Sequence, residues 1–142
     1  MLQGDALKFL KSGVFFVLLI LLDQLTKRLA NNTYLNFNFA FSFKLPVWLI
    51  FSIYLFVLLV MINYCRKNYH KFSIVSWLAW TLIFAGAASN VFERAILGSV
   101  RDFIYVHLGN LTGIYNLADS YIILGIVILI CHGLTTNNGD LK

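Results

Sequence analysis

Four long apolar runs constrain this chain more than any other feature. A helix needs about 20 predominantly apolar residues to cross the hydrocarbon core of a bilayer. Segments 9–25, 46–65, 72–92 and 119–134 meet or approach that requirement, with cores such as GVFFVLLILL, PVWLIFSIYLFVLLVMINYC and IILGIVILIC. Pro46 suits the first turn of the second helix, and the fourth run is short enough to end in the interface. Of the 142 residues 60% are hydrophobic and 12% charged, too little polar surface for a soluble domain. The expected fold is an all-α membrane protein in one domain, 1–142, with four transmembrane helices.

The first run follows Lys8 and Lys11, as the apolar part of a signal peptide would. No small-x-small cleavage site comes after it; Asp23, Lys27 and Arg28 do, so a retained helix is expected. Four spans put both termini on one side. Lys8, Lys11, Arg66, Lys67, Lys71 and Lys142 then share the inner face, while Lys27, Arg28, Lys44, Arg94 and Arg101 share the outer one. The compact CRKNYHK cluster marks the cytoplasmic side. Asp23, Glu93, Asp102 and Asp119 consequently gather at the outer face.

The loop after the first run reads LNFNFAFSF, residues 35–43. Leu35, Phe37, Phe39, Phe41 and Phe43 alternate with small or polar residues, the period of a strand. A second strand-like piece, VRDFIYVHL, follows the third run. A small β-rich extracytoplasmic element is expected, and the tail TTNNGDLK reads as polar and disordered. The net charge of +5 comes from residues flanking apolar runs, which fits lipid phosphates and topology signals rather than nucleic acid. Cys65 and Cys131 read as two buried structural thiols. The three histidines are scattered and no metal site is expected.

Three of the six acidic residues, Glu93, Asp102 and Asp119, lie in one stretch, NVFERAILGSVRDFIYVHLGNLTGIYNLADSY. Each has a plain reading. Asp119 suits a helix N-cap, and Asp102 a solvated loop acid near Arg101 or Arg94. Glu93 with Arg94 suits an interfacial ion pair, and Asp23 with Lys27 an i,i+4 pair. Acids near membrane depth are costly, however, and usually functional. Two carboxylates held together share a proton, so the pair can activate a water and protonate a leaving group. Asp102 and Asp119 are candidates for such a pair.

Five ordered motifs sharpen that reading: DQLTK with Asp23, Thr26 and Lys27; NFNFAFS with Asn36, Ala40, Phe41 and Ser42; SNVFER with Asn90 and Arg94; GSVRDF with Gly98, Val100, Asp102 and Phe103; and YNLAD with Asn116, Ala118 and Asp119. Over this span the chain resembles the lipoprotein signal peptidases (signal peptidase II), bacterial intramembrane aspartic endopeptidases. It departs from their pattern at Asn38, Ala85 and Ser89, where the family has glycine, and at Glu93, where it has aspartate. An aspartate at 93, paired with Arg94, is expected to serve as well or better.

The resemblance implies Asp102 and Asp119 as the catalytic pair. Asn36, Asn90, Glu93, Arg94 and Asn116 would orient it or hold the substrate, and Asp23 and Lys27 would support it. It implies no cofactor, a prolipoprotein carrying a diacylglyceryl cysteine as substrate, and cleavage just before that cysteine. A monomer among membrane lipids is expected, in the bacterial inner membrane with termini cytoplasmic and the site outside. The alternative is a small four-span cation transporter, which would place an acid in mid-span.

Overall fold

The computed structural model describes residues 2–37, 45–68, 71–109 and 111–137. The elements follow as α1 (Leu2–Leu29), β1 (Tyr34–Asn36), α2 (Val47–Asn68), α3 (Ile74–Leu97), β2 (Val100–Asp102), β3 (Ile104–Leu108), β4 (Leu111–Tyr115) and α4 (Leu117–Asn137). Among the described residues, three helices are long and apolar enough to cross a membrane over Trp48–Asn68, Ile74–Leu97 and Leu117–Leu134. The protein is therefore an integral membrane protein, mostly helical, with small antiparallel sheets. α1 is long as well, but Asp23, Lys27 and Arg28 interrupt its apolar character toward the C-terminal end.

The helix ends follow local chemistry more than hydropathy. Ser73 caps α3, its hydroxyl accepting from the Ser76 N–H at 3.1 Å. The helix runs a turn beyond Phe92, so Glu93 and Arg94 are helical; it stops at Gly98, whose φ of 71° suits glycine. The apolar run ends earlier because these two residues are charged, but their backbone bonds continue the helix. Pro46 sits one residue before α2 rather than inside its first turn, its carbonyl accepting from Ile50 N at 3.1 Å.

Small residues set the α3–α4 contact. A Cβ on Gly86 would meet the Ala118 carbonyl oxygen at 2.3 Å, and one on Gly125 would meet the Ala79 carbonyl oxygen at 2.7 Å. Without a hydrophobic drive between helices in lipid, such close backbone approach supplies the packing energy. α1 lies against this pair, with Leu19, Leu82, Ala85 and Tyr121 as a buried cluster flanked by Phe15, Phe16 and Ile20; the thiols expected to be buried are not part of it, Cys65 being half-buried and Cys131 exposed.

Among the described residues the β-rich element is two separate two-stranded sheets. β1 and β2 are antiparallel, Tyr34 opposite Asp102 and Asn36 opposite Val100. β3 and β4 form a hairpin, Ile104 opposite Tyr115, turning at Gly109 (φ 59°). The strand expected over 35–43 is seen at Tyr34–Asn36; residues 38–44 lie outside the described residues, and with them Asn38 and the rest of the phenylalanine row.

Candidate active site

Both aspartates reach one end of the helices by different routes. The αL turn at Gly98 ends α3 and returns the chain as β2, whose last residue is Asp102. Pairing with β1 brings Asn36 alongside, and its Nδ2 donates to Asp102 Oδ2 at 2.9 Å. Asp119 sits in the first turn of α4. The expected N-cap role belongs to Asn116 instead. Its Oδ1 accepts from Asp119 N at 2.9 Å, while Asp119 Oδ2 accepts from Asn116 N at 3.1 Å, a reciprocal capping box. The same Asn116 donates through Nδ2 to Asp102 Oδ1 at 2.7 Å. One asparagine thus bridges the two carboxylates, by its side chain to one and its backbone to the other.

A buried polar chain supports the bridge. Asn90 Nδ2 donates to Asp119 Oδ1 at 2.8 Å, and Asn90 Oδ1 accepts from Lys27 Nζ at 2.8 Å. Lys27 is 1% exposed and lies 2.8 Å from Asp23 Oδ2 and 2.9 Å from Glu93 Oε2. The expected i,i+4 pair therefore exists, but it is fully buried. Asp23 ties the motif to α4 and α3: Oδ1 accepts from Ala118 N at 2.9 Å, and Oδ2 from Ser89 Oγ at 2.6 Å. A buried ion pair is worth its desolvation only when its remaining sites are filled, and here neighbouring donors fill them.

Two plain readings need correction. Glu93 does not pair with Arg94; its carboxylate binds Lys27 and Arg101. Successive helical residues point about 100° apart. Glu93 faces α1 and β2, whereas Arg94 turns to α2, donating to Tyr54 Oη at 2.7 Å with its guanidinium 5.8 Å from the ring centre. Nor is Asp102 a solvated acid paired with arginine: it is 2% exposed and bound by two asparagines. Burial pushes the Asp102 carboxyl above the usual range and the Asp119 charge adds to this, against the Asn36 and Asn116 hydrogen bonds and Lys27.

Of the residues picked from sequence, Asp23, Lys27, Asn36, Asn90, Glu93, Asn116 and both aspartates form one connected network. Arg94 is placed beside it. Sequence reasoning missed Tyr54, which looks like any aromatic in an apolar helix, and Ser89, seen only as a departure. Here its hydroxyl is a ligand to Asp23, which glycine would not provide. Gln24 follows from this, its Nε2 donating to Ser89 Oγ at 2.9 Å. Among the described residues no group of three or more His, Cys, Asp or Glu is arranged to hold a metal.

The fold and site define a small helical membrane protein with two carboxylates bridged at one end of its helices. Residues 15–135 match the family model for signal peptidase (SPase) II. The lipoprotein signal peptidase of Thermodesulfovibrio yellowstonii is 32% identical, the match covering 91% of this chain and 98% of that protein. That of Streptococcus agalactiae serotype Ia is 33% identical, covering 82% and 86%. A solved structure described as a bacterial membrane enzyme superposes with a TM-score of 0.78 at 23% identity, over 93% of this chain and 92% of that one. The chain belongs to the signal peptidase II family, and is a protease by that membership. The transporter alternative is set aside, since it needed an acid in mid-span and these acids cluster at helix and strand ends.

Proposed function

We propose that the protein is an aspartic endopeptidase that removes signal peptides from diacylglyceryl-modified prolipoproteins, cutting before the lipobox cysteine. The observation that carries this is the Asn116 bridge, which holds Asp102 and Asp119 with one hydrogen-bonded residue between them. In this reading Asp102 keeps the shared proton. Asp119 is the base. A water between them loses a proton to Asp119 as its oxygen bonds to the scissile carbonyl carbon. The Asp102 proton polarises the carbonyl oxygen. As the tetrahedral intermediate collapses, the C–N bond breaks and the amine departs with a proton from the carboxyl pair. Asn36, Asn90 and Asn116 fix the carboxylates; Lys27 with Asp23 and Glu93 fixes Asn90. Arg94, anchored on Tyr54, lies beside the carboxylate network and is assigned to the substrate backbone.

The same reading assigns four crossings to one domain, 1–142, with spans near 9–25, 46–65, 72–92 and 119–134. The buried pairing of Asp23 with Lys27 supports α1 as the fourth, because it removes the main polar cost near the end of that helix. It places a monomer in the bacterial inner membrane, termini in the cytoplasm, with the aspartates outward. Exposed Phe37, Tyr34 and Tyr105 beside the aspartates suit the headgroup region. Purified protein should shift a diacylglyceryl prolipoprotein to the mature size on a gel and leave the unmodified precursor intact. An uncut lipidated substrate would sink the reading. Reporter fusions after Lys142 and within the 66–71 loop should both score cytoplasmic; a periplasmic score at Lys142 would overturn the topology.

A further inference from the structure

One buried carboxylate beyond the Asp–Asn–Asp bridge touches both halves of the site. Glu93, 2% exposed near the end of α3, places Oε2 2.9 Å from Lys27 Nζ. Its Oε1 accepts from Arg101 Nε, and Arg101 N approaches Oε2 at 3.4 Å. Lys27 leads through Asn90 to Asp119. Arg101 is covalently next to Asp102, on a three-residue strand whose sheet neighbour among the described residues is the equally short β1. So short a ladder fixes position weakly by itself. Glu93 closes a ring that passes through Lys27, Asn90, Asp119, Asn116, Asp102 and Arg101.

We infer that Glu93 and Arg101 are positioning residues that set the separation of Asp102 from Asp119. The reach of glutamate lets one carboxylate serve α1 and β2 together. An aspartate here would keep the fully buried Lys27 and release Arg101, whose side chain is 22% exposed and can turn to water. The expectation that aspartate would serve as well or better is therefore reversed. The kinetic part of the inference rests on the peptidase reading; the structural part rests on geometry alone.

The test compares wild type, Glu93→Asp, Arg101→Leu, Arg101→Lys and the double variant Glu93→Asp/Arg101→Leu in lipid nanodiscs. Hydrogen exchange of the 100–102 amides is measured beside kcat and KM on diacylglyceryl prolipoprotein. Glu93→Asp and Arg101→Leu should each speed exchange in β2 and lower kcat about tenfold, the scale of a small misplacement at the reacting groups. KM should hold within about twofold, since neither residue is assigned to substrate binding. The double variant should be no worse than either single one, and Arg101→Lys should stay near wild type because its ammonium still meets the carboxylate. Unchanged exchange in Glu93→Asp and Arg101→Leu would overturn the link, as would a double variant whose losses multiply. A wild type that fails to cleave would end the peptidase reading by itself. The link would then stand on faster β2 exchange in both variants, or fall on its absence.

Discussion

α2 and α3 differ in a way that hydropathy alone inverts. α2 is the more apolar of the two, yet 6% of its apolar window is buried in the protein against 44% for α3. α3 carries Gly86, Ala79 and Ala85 for close approach, and Ser89, Asn90 and Glu93 for polar contact. α2 presents large exposed side chains such as Leu55, Phe56 and Leu59. It is held by Tyr54 on Arg94 and by Tyr64, whose ring lies 5.6 Å from that of Trp80. In lipid, an apolar surface is already solvated. Apolar character inserts a helix, while small and polar residues decide what it packs against.

The largest test of the α3–α4 end is chemical. Asp102→Asn and Asp119→Asn should each lower cleavage by about 10⁴-fold or more at matched protein level, the scale seen when a member of a catalytic unit is removed. The capping box gives Asp119 a structural duty as well. An amide has one acceptor oxygen, and both Asn116 N and Asn90 Nδ2 need one. A purely structural role thus predicts a loss of about 1 kcal/mol with much activity remaining. Near-normal cleavage by either variant would remove that aspartate from the mechanism.

Steric and electrostatic breaks come next. Gly86→Val should prevent folding of the α3–α4 pair, because even a Cβ meets the Ala118 carbonyl at 2.3 Å. Leu55→Ala on α2 should leave expression and melting nearly unchanged; equal damage from both would erase the contrast between the helices. Lys27→Met leaves Asp23 and Glu93 buried without their shared cation. It should cost about 3–5 kcal/mol, read as reduced resistance to denaturant in detergent.

Two smaller effects sharpen the picture. The Asp102 carboxyl is raised in the folded protein, whereas an unfolded aspartate titrates near ~3.9. Across that window the folded state binds more protons, so the residue lowers stability as pH rises from below the unfolded value through the folded one. Asp102→Asn should show a shallower fall in melting temperature between acid and neutral pH. An identical slope would mean that Asp102 does not carry the shift. Tyr54→Phe removes one hydrogen bond to the Arg94 guanidinium and should cost about 1–3 kcal/mol, loosening α2 while α3 and α4 keep their protection from hydrogen exchange.

The sequence by itself determined the apolar helices, the presence of a β element after α3, and most of the residues that join in one polar network. Insertion depends on local composition, and motif order is written along the chain. It could not show that Asn116 caps α4 and bridges the aspartates, since that requires β2 to return beside the start of the helix. It paired Glu93 with its sequence neighbour Arg94, while the structure pairs it with Lys27, 66 positions away, and with Arg101 across the Gly98 turn. A side chain's partner is set by the direction it leaves the helix and by what packs there. Only the folded arrangement of α1, α3, β2 and α4 decides that, because the cost of leaving a buried charge unpaired is settled between elements far apart in the chain.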